Sequence, residues 1–200
     1  LVDLFGETAN MALLEGDACV YVAQVPSPQS MRMFTEVGRR TLPHSTAVGK
    51  AMLIEHDAAD VRALLARTGM PRLTEHTLTT PEEFLAAVDE ARERGYATDE
   101  GEQELGVRCV AVPVPGARRP LALSMSGPTS RVDDAAAERA ANVLRAAAEK
   151  IAADLGGIEQ TRTRMLSALA HEMRTPLATI DSHLEADESG TRSEERRVGK

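Results

Sequence analysis

The 200-residue sequence predicts an α+β domain built on an antiparallel sheet flanked by helices. Three observations carry that expectation. A hairpin-like pair of β-rich runs stands near the start, several helical segments carry their own start and stop residues, and the later strands follow one another as neighbours.

The elements justify themselves in order. "TANMALLEGDACVYVAQV" reads as a hairpin whose two β-rich runs flank Glu15-Gly16-Asp17, where glycine takes the positive φ that a tight turn needs. "HSTAVGKAMLIE" offers Ser45 or Thr46 as a helix N-cap ahead of Ala, Val and Met. "DAADVRALLART" follows as a second helix, capped by Asp57 and closed by Gly69. The third helix is the best punctuated: Thr80 caps it, Pro81 takes the first helical position, Glu83 completes a capping box and Gly95 ends it. Phe84, Leu85, Val88 and Ala91 form its apolar stripe. Three strands come next, "YATDE", "RCVAVPV" and "PLALSMS". An Ala-rich helix over residues 133–155 is expected to end at Gly156-Gly157.

Two of those strands have unequal faces. Alternation puts Leu121, Leu123 and Met125 on one side of "PLALSMS", and Ala122, Ser124 and Ser126 on the other. In the preceding strand Val110, Val112 and Val114 oppose Cys109, Ala111 and Pro113. The first face is bulky and apolar, as a core face should be. The second is small and carries hydroxyls, which suits either a ligand pocket or a solvent-facing strand with ordinary serines.

Composition narrows the function classes. With 42% hydrophobic and 27% charged residues the chain is that of a globular protein, and three Phe, two Tyr and no Trp leave the core to Leu, Val, Ala and Met. So few aromatics argue against base-stacking surfaces, and a net charge of −8 with no basic segment argues against a direct grip on nucleic acid. Cys19 and Cys109 lie far apart and outside any metal spacing, which points to free thiols in a reducing, cytoplasmic compartment. No apolar run approaches the roughly 20 residues of a membrane span, and no signal peptide is evident. The chain opens at Leu1 rather than Met, so it is expected to be a piece of something longer.

"GRRTLPHSTAVGKAML", "TLTTPEEFLAAVDEARERGYATDEGEQELGVRCVAVPV" and "LALSMSGPTSRV" together resemble the effector-binding domain of IclR-type transcriptional regulators, over about residues 2–157. The resemblance implies a GAF-like domain, a curved antiparallel sheet with helices on one side and a small-molecule pocket on the other. It also implies pocket positions at Met33, Ala47, Val48, Asp99, Cys109, Ser124 and Ser126. The two serines are those that alternation had placed on the small face. Such regulators carry a winged helix-turn-helix ahead of this domain, which is missing here. DNA is thus expected to be a partner only through that part, and a homo-oligomer, dimer or tetramer, is implied by the same likeness.

The chemistry of these positions suits a small organic acid, with no cofactor and no metal. Ala47 and Val48 sit at the start of a helix, where unpaired N–H groups and the dipole favour an anion. Ser124 and Ser126 would donate to its carboxylate or to a keto or hydroxyl group. Asp99 would orient donors, unless it is an exposed loop acid, and Met33 would close the top as adaptable packing, unless it is simple core. Enzyme-like motifs fail by comparison. "HSTAVGKA" is no phosphate loop, since His44 stands where glycine is needed and Ala51 replaces Ser/Thr. Cys109 has no partner base. His44, His56 and His76 have no metal spacing, and His44 is expected to shape the turn before the helix. An enzyme on the same scaffold is the least supported class.

A second resemblance follows. Through "MLSALAHEMRTPLATI" and just beyond it, Leu166, Leu169, Met173, Leu177, Ile180 and Leu184 form a helical seam, with His171 off it and Glu172 beside it. "AHEMRTPL" resembles the phosphoacceptor box of sensor histidine kinases, with His171 at the phosphorylated position and Glu172 as its helper. Only the first dimerisation helix, about residues 158–187, is present, without an ATP-binding domain, so this fragment is not expected to autophosphorylate. "RSEERRVGK" has no apolar period and resembles translated adapter sequence. The expected organisation is therefore an effector-binding domain over 1–157, a single kinase-like helix fragment over 158–188, and a disordered or artefactual tail over 189–200. An assembly chimera joined at Gly157-Ile158 is the simplest account, and a truncated sensor histidine kinase with this domain as input module is the alternative.

Overall fold

The computed structural model of the chain describes residues 1–158, 160, 161 and 163–165. It divides into a unit spanning Leu1–Ala153 and a second beginning at Asp154. The first unit opens with a single helical turn, α1 (Val2–Phe5), and then the hairpin β1 (Thr8–Glu15) and β2 (Ala18–Val25). Gly16 makes the turn at φ 60°, as its position between the strands requires. An irregular stretch leads to the short β3 (Arg40–Thr41) and a 3-10 turn, Pro43–Ser45. Three helices come next: α2 (Ala47–Leu53), α3 (Ala58–Thr68) and α4 (Pro81–Arg94). The chain then returns as β4 (Ala97–Glu100), β5 (Val107–Pro113) and β6 (Leu121–Pro128), and ends the unit in a helix, α5, over residues 134–153.

All six strands form one sheet in the order β3-β2-β1-β6-β5-β4, and every neighbouring pair is antiparallel. The predicted α+β class and its five strand runs are present in the structure, which adds the short edge strand β3 that the sequence did not show. Both sheet faces are covered. Val110, Val112, Leu123 and Met125 pack beneath Ala137, Ala140, Ala141 and Leu144 of α5, the small alanines letting the helix approach closely. The opposite face, with Ala12, Cys19, Ala111 and Ala122, packs against α2, α3 and α4 through Val48, Leu53, Leu65, Phe84 and Val88. The implied picture of helices on one side and a pocket on the other is thereby corrected: the small face is roofed by helices as well.

Local chemistry explains the helix boundaries. Of the two residues offered as the α2 cap, Thr46 is the one used, its Oγ1 accepting from Gly49 N at 3.1 Å. Thr80 and Glu83 make the reciprocal capping box of α4, and Gly95 ends it in the left-handed region. Asp57 precedes α3 but makes no side-chain cap bond. Asp133 caps α5, its Oδ1 accepting from Ala136 N at 2.7 Å.

In the second unit, residues 154–158 are helical with Gly156 and Gly157 among them, so the glycine pair does not stop a helix where the sequence suggested it would. Two glycines cost a helix about 2 kcal/mol against alanine, which weakens it without breaking its hydrogen bonds. His171, Glu172 and the 189–200 tail lie outside the described residues.

Candidate functional site

The register of the sheet assembles the small face. Asp99 stands opposite Cys109, Cys109 opposite Ser126, and Ser126 opposite Thr8, so these four form one row across β4, β5, β6 and β1. The next row on the same face is Ala97, Ala111, Ser124 and Asn10. With neighbouring strands about 4.8 Å apart, each row spans roughly 14 Å, and the small side chains of Cys109 and Ala111 lie between the acid and the hydroxyls.

Most polar groups of these rows are committed. Ser126 Oγ donates to Cys109 Sγ at 3.1 Å. Thr8 Oγ1 donates to the Met33 carbonyl at 3.3 Å and accepts from Ser27 N at 3.2 Å. Two are not: Ser124 Oγ and Asn10 Oδ1 are buried with no hydrogen bond formed, Ser124 being 0% exposed and near a Cys109 thiol that is already bonded to Ser126. An unpaired buried polar atom costs about 1–3 kcal/mol, so a fold keeps such atoms side by side chiefly where something else satisfies them.

The roof is α2, which packs across β1, β4, β5 and β6. Ala47 and Val48 occupy its first turn and are fully buried, and their N–H groups precede the first intrahelical acceptor. The helix sits close on the turn before it because Gly49 has no side chain: a Cβ there would lie 2.2 Å from the Pro43 carbonyl oxygen. His44, also buried, helps hold that turn through Nε2 and the Pro71 carbonyl at 3.0 Å, the role expected of it. Its Nδ1 is unpartnered, and burial pushes its pKa down.

Asp99 is buried at 4% exposure and is no loop-surface acid. Its Oδ1 accepts from Glu102 N at 2.6 Å and Gln103 N at 3.4 Å, pinning the turn after β4. Burial, then the neighbouring Glu102 charge, push its pKa up to about 7. Beside it lies an ion pair that sequence reasoning missed. Lys50 of α2 donates to Glu102 Oε1 and, at 2.8 Å, to the Thr98 carbonyl, with both charged groups buried. Glu102 Oε2 has no partner, and burial raises the Glu102 pKa. A lysine inside the apolar run of α2 was the only signal, and Glu102, within the polar stretch "TDEGEQE", gave none. Tyr21 was missed too. Its hydroxyl pKa is raised, first by burial and then by the charges of Cys109, Cys19 and Asp99.

Cys109 is inert as a nucleophile, since burial and the Asp99 charge push its thiol up to about 12. Met33 stands apart from the other six positions. It is half-buried in the irregular stretch between β2 and β3, and it lines a cleft of about 530 Å³ with Phe34, Arg39, Leu105 and Pro128. Its link to the rows is the bond from Thr8 to its carbonyl. Among the described residues no group of three or more His, Cys, Asp or Glu could hold a metal ion, and no helix is long and apolar enough to cross a membrane.

Comparison with known proteins identifies the family of the fold. The family model described as bacterial transcriptional regulator IclR C-terminal matches residues 1–153. The HTH-type transcriptional regulator KdgR of Escherichia coli is 38% identical over 152 residues, which cover 75% of this chain and 58% of that protein. The chain thus spans little more than half of that relative. The crystal structure of the C-terminal domain of E. coli KdgR superposes with a TM-score of 0.69 at 36% identity, covering 78% of this chain and 91% of that one. An IclR homolog from Microbacterium hydrocarbonoxydans, solved in complex with 4-hydroxybenzoate, shares the fold at a TM-score of 0.68 and 23% identity, over 78% of this chain and 63% of its own. The family match stops at residue 153, so it lends nothing to the kinase-like segment.

Proposed function

Since this chain belongs to the IclR family of bacterial transcriptional regulators and spans their C-terminal domain, we propose that it is the sensor of a small organic acid within a longer DNA-binding regulator. The matched relative is a regulator, not an enzyme. One observation carries the ligand reading: the fully buried Ser124 hydroxyl, unpartnered beside an equally unpartnered Asn10 oxygen, on the small face that α2 covers.

In this reading the ligand carboxylate takes the Ser124 hydroxyl, the Ser126 hydroxyl, which turns to it from Cys109 Sγ, and the free N–H groups of Ala47 and Val48. Four neutral donors around a buried anion supply the charge-assisted bonds that replace its water shell. Asn10 Oδ1 accepts from a hydroxyl on the ligand. Cys109 and Asp99 form the wall, and Met33 closes the site from the stretch between β2 and β3. Occupancy biases the conformations of the regulator by the ligand's differential affinity for them, and so its assembly on DNA through segments this chain does not span. The regulator works as a cytoplasmic homo-oligomer, dimer or tetramer.

Thermal unfolding against acetate, 2-oxobutyrate, lactate and 4-hydroxybenzoate tests the reading. A binder present at 100 times its Kd stabilises by about 2.7 kcal/mol, several degrees in a domain of this size. At least one acid should produce that shift. Silence from all of them, in wild type and in Ser124→Ala and Ser126→Ala alike, overturns it.

A further inference from the structure

The charge balance of the site leads beyond the identity of its donors. Lys50 is the cation that α2 presents to this region, and it is spent on Glu102 and the Thr98 carbonyl. Cys109 stands opposite Asp99 on β5, Glu102 lies in the following turn, and the Asp99 charge reaches as far as the Tyr21 hydroxyl of β2, whose pKa it helps to raise. From α4, Arg94 is bonded to Thr98 Oγ1 at 2.9 Å, with Glu90 beside it. Arg108, next to Cys109, is occupied by Glu100 and Asp134. A carboxylate seated at the unpartnered Ser124 hydroxyl therefore enters a buried place that already holds Asp99 and Glu102 against one spent cation.

We propose that the organic acid enters this site together with one proton, carried by Asp99, so that effector binding is proton-coupled. This rests on the reading above that the small face binds a carboxylate. The Asp99 carboxyl is arranged for it: it is buried on the same face, and Oδ1 is held by the Glu102 and Gln103 N–H groups, which leaves Oδ2 to carry the proton. A neutral Asp99 removes one of the two negative charges from the wall and turns an acceptor into a donor. With the pKa of the free site at about 7, a bound anion raises it further, so uptake falls between about pH 7 and the higher value of the complex. Over that window affinity drops with rising pH, by up to about tenfold for each pH unit. The coupling favours acids over neutral analogues most strongly at low pH, and makes the sensor respond to acidity as well as to concentration.

The test is isothermal titration of the whole chain with 2-oxobutyrate and 4-hydroxybenzoate, each beside its amide. Measurements run from pH 6 to 8 in two buffers of different ionisation heat. Both carboxylates are fully ionised in that range, so protons taken up belong to the protein. Fractional proton uptake with the acids that is largest between pH 7 and 8 and smaller at pH 6, none with the amides, and Asp99→Asn binding the acids with pH-independent affinity and no uptake, is the expected result. The proton count is made on wild type and stands whether or not the variant folds. Acid binding without uptake, or uptake that survives Asp99→Asn, overturns the coupling and leaves the sensor reading intact. No binding by any acid or amide overturns both.

Discussion

Glu102→Gln tests the buried ion pair that joins α2 to the turn after β4. Lys50 is 2% exposed and Glu102 5%, so neither charge is screened by solvent. Opposite unit charges in contact attract by about 4 kcal/mol at an effective dielectric near 20. Removing one partner of a buried pair leaves the other unpaired, at about 3–5 kcal/mol. Glu102→Gln should therefore lose about 3–5 kcal/mol in urea unfolding at pH 8, with the m-value unchanged. Lys50→Met leaves an acid that can protonate. The Glu102 pKa is already raised by burial, and loss of Lys50, which lowers it, raises it further. A carboxyl whose folded pKa is raised contributes stability that is fully present below its unfolded pKa, near 4.5, and is lost as pH rises through the folded value. The deficit of Lys50→Met should thus be small near pH 4.5 and reach several kcal/mol at pH 8. The double variant Lys50→Met/Glu102→Leu should recover most of the loss, since an apolar pair of similar volume replaces buried charges at little cost. Single variants that each lose under about 1 kcal/mol, with a purely additive double, would refute the reasoning.

Asp99→Asn should stabilise the unliganded protein in alkaline solution. The Asp99 pKa rises from 3.8 to about 7 on folding, so its contribution is intact below pH 3.8 and lost as pH rises through 7, at about 1.4 kcal/mol per pK unit. The variant should melt several degrees above wild type at pH 8 and not above it at pH 4. Gly49→Ala puts a methyl 2.2 Å from backbone oxygen and should destabilise by at least about 3 kcal/mol in the same urea assay, or fail to fold. Thr80→Ala removes the α4 cap while leaving packing untouched, and should lose about 1 kcal/mol.

What the sequence displays is local. The α4 boundaries were readable because Thr80, Pro81, Glu83 and Gly95 each act on backbone within one turn of themselves. The two faces of β6 were readable because alternation is a property of the strand alone. The pairing of Ser124 with Asn10 was not, since it depends on register between strands more than a hundred residues apart. The Lys50–Glu102 pair, 52 residues apart, could not be seen either, because a lysine inside an apolar helical run reads as an exception until its partner arrives. The second covering of the sheet was hidden for another reason: the small residues that suggest open space also let a helix lie close. Gly156 and Gly157 misled because two glycines weaken a helix by an amount that its other hydrogen bonds can carry.

The central claim, that the small face beneath α2 receives a carboxylate, turns on Ser124. Its hydroxyl has no partner in the unliganded protein, so Ser124→Ala should leave stability within about 0.5 kcal/mol of wild type or raise it slightly. The same change removes a donor to a charged ligand, worth about 1.5–3 kcal/mol, or roughly ten- to hundredfold in Kd. The measurement is a paired thermal titration of wild type and Ser124→Ala with the acid that binds wild type best. The account predicts matching melting points without ligand and a shift in wild type that the variant lacks at equal concentration. An undiminished shift in Ser124→Ala would place the ligand elsewhere and contradict it.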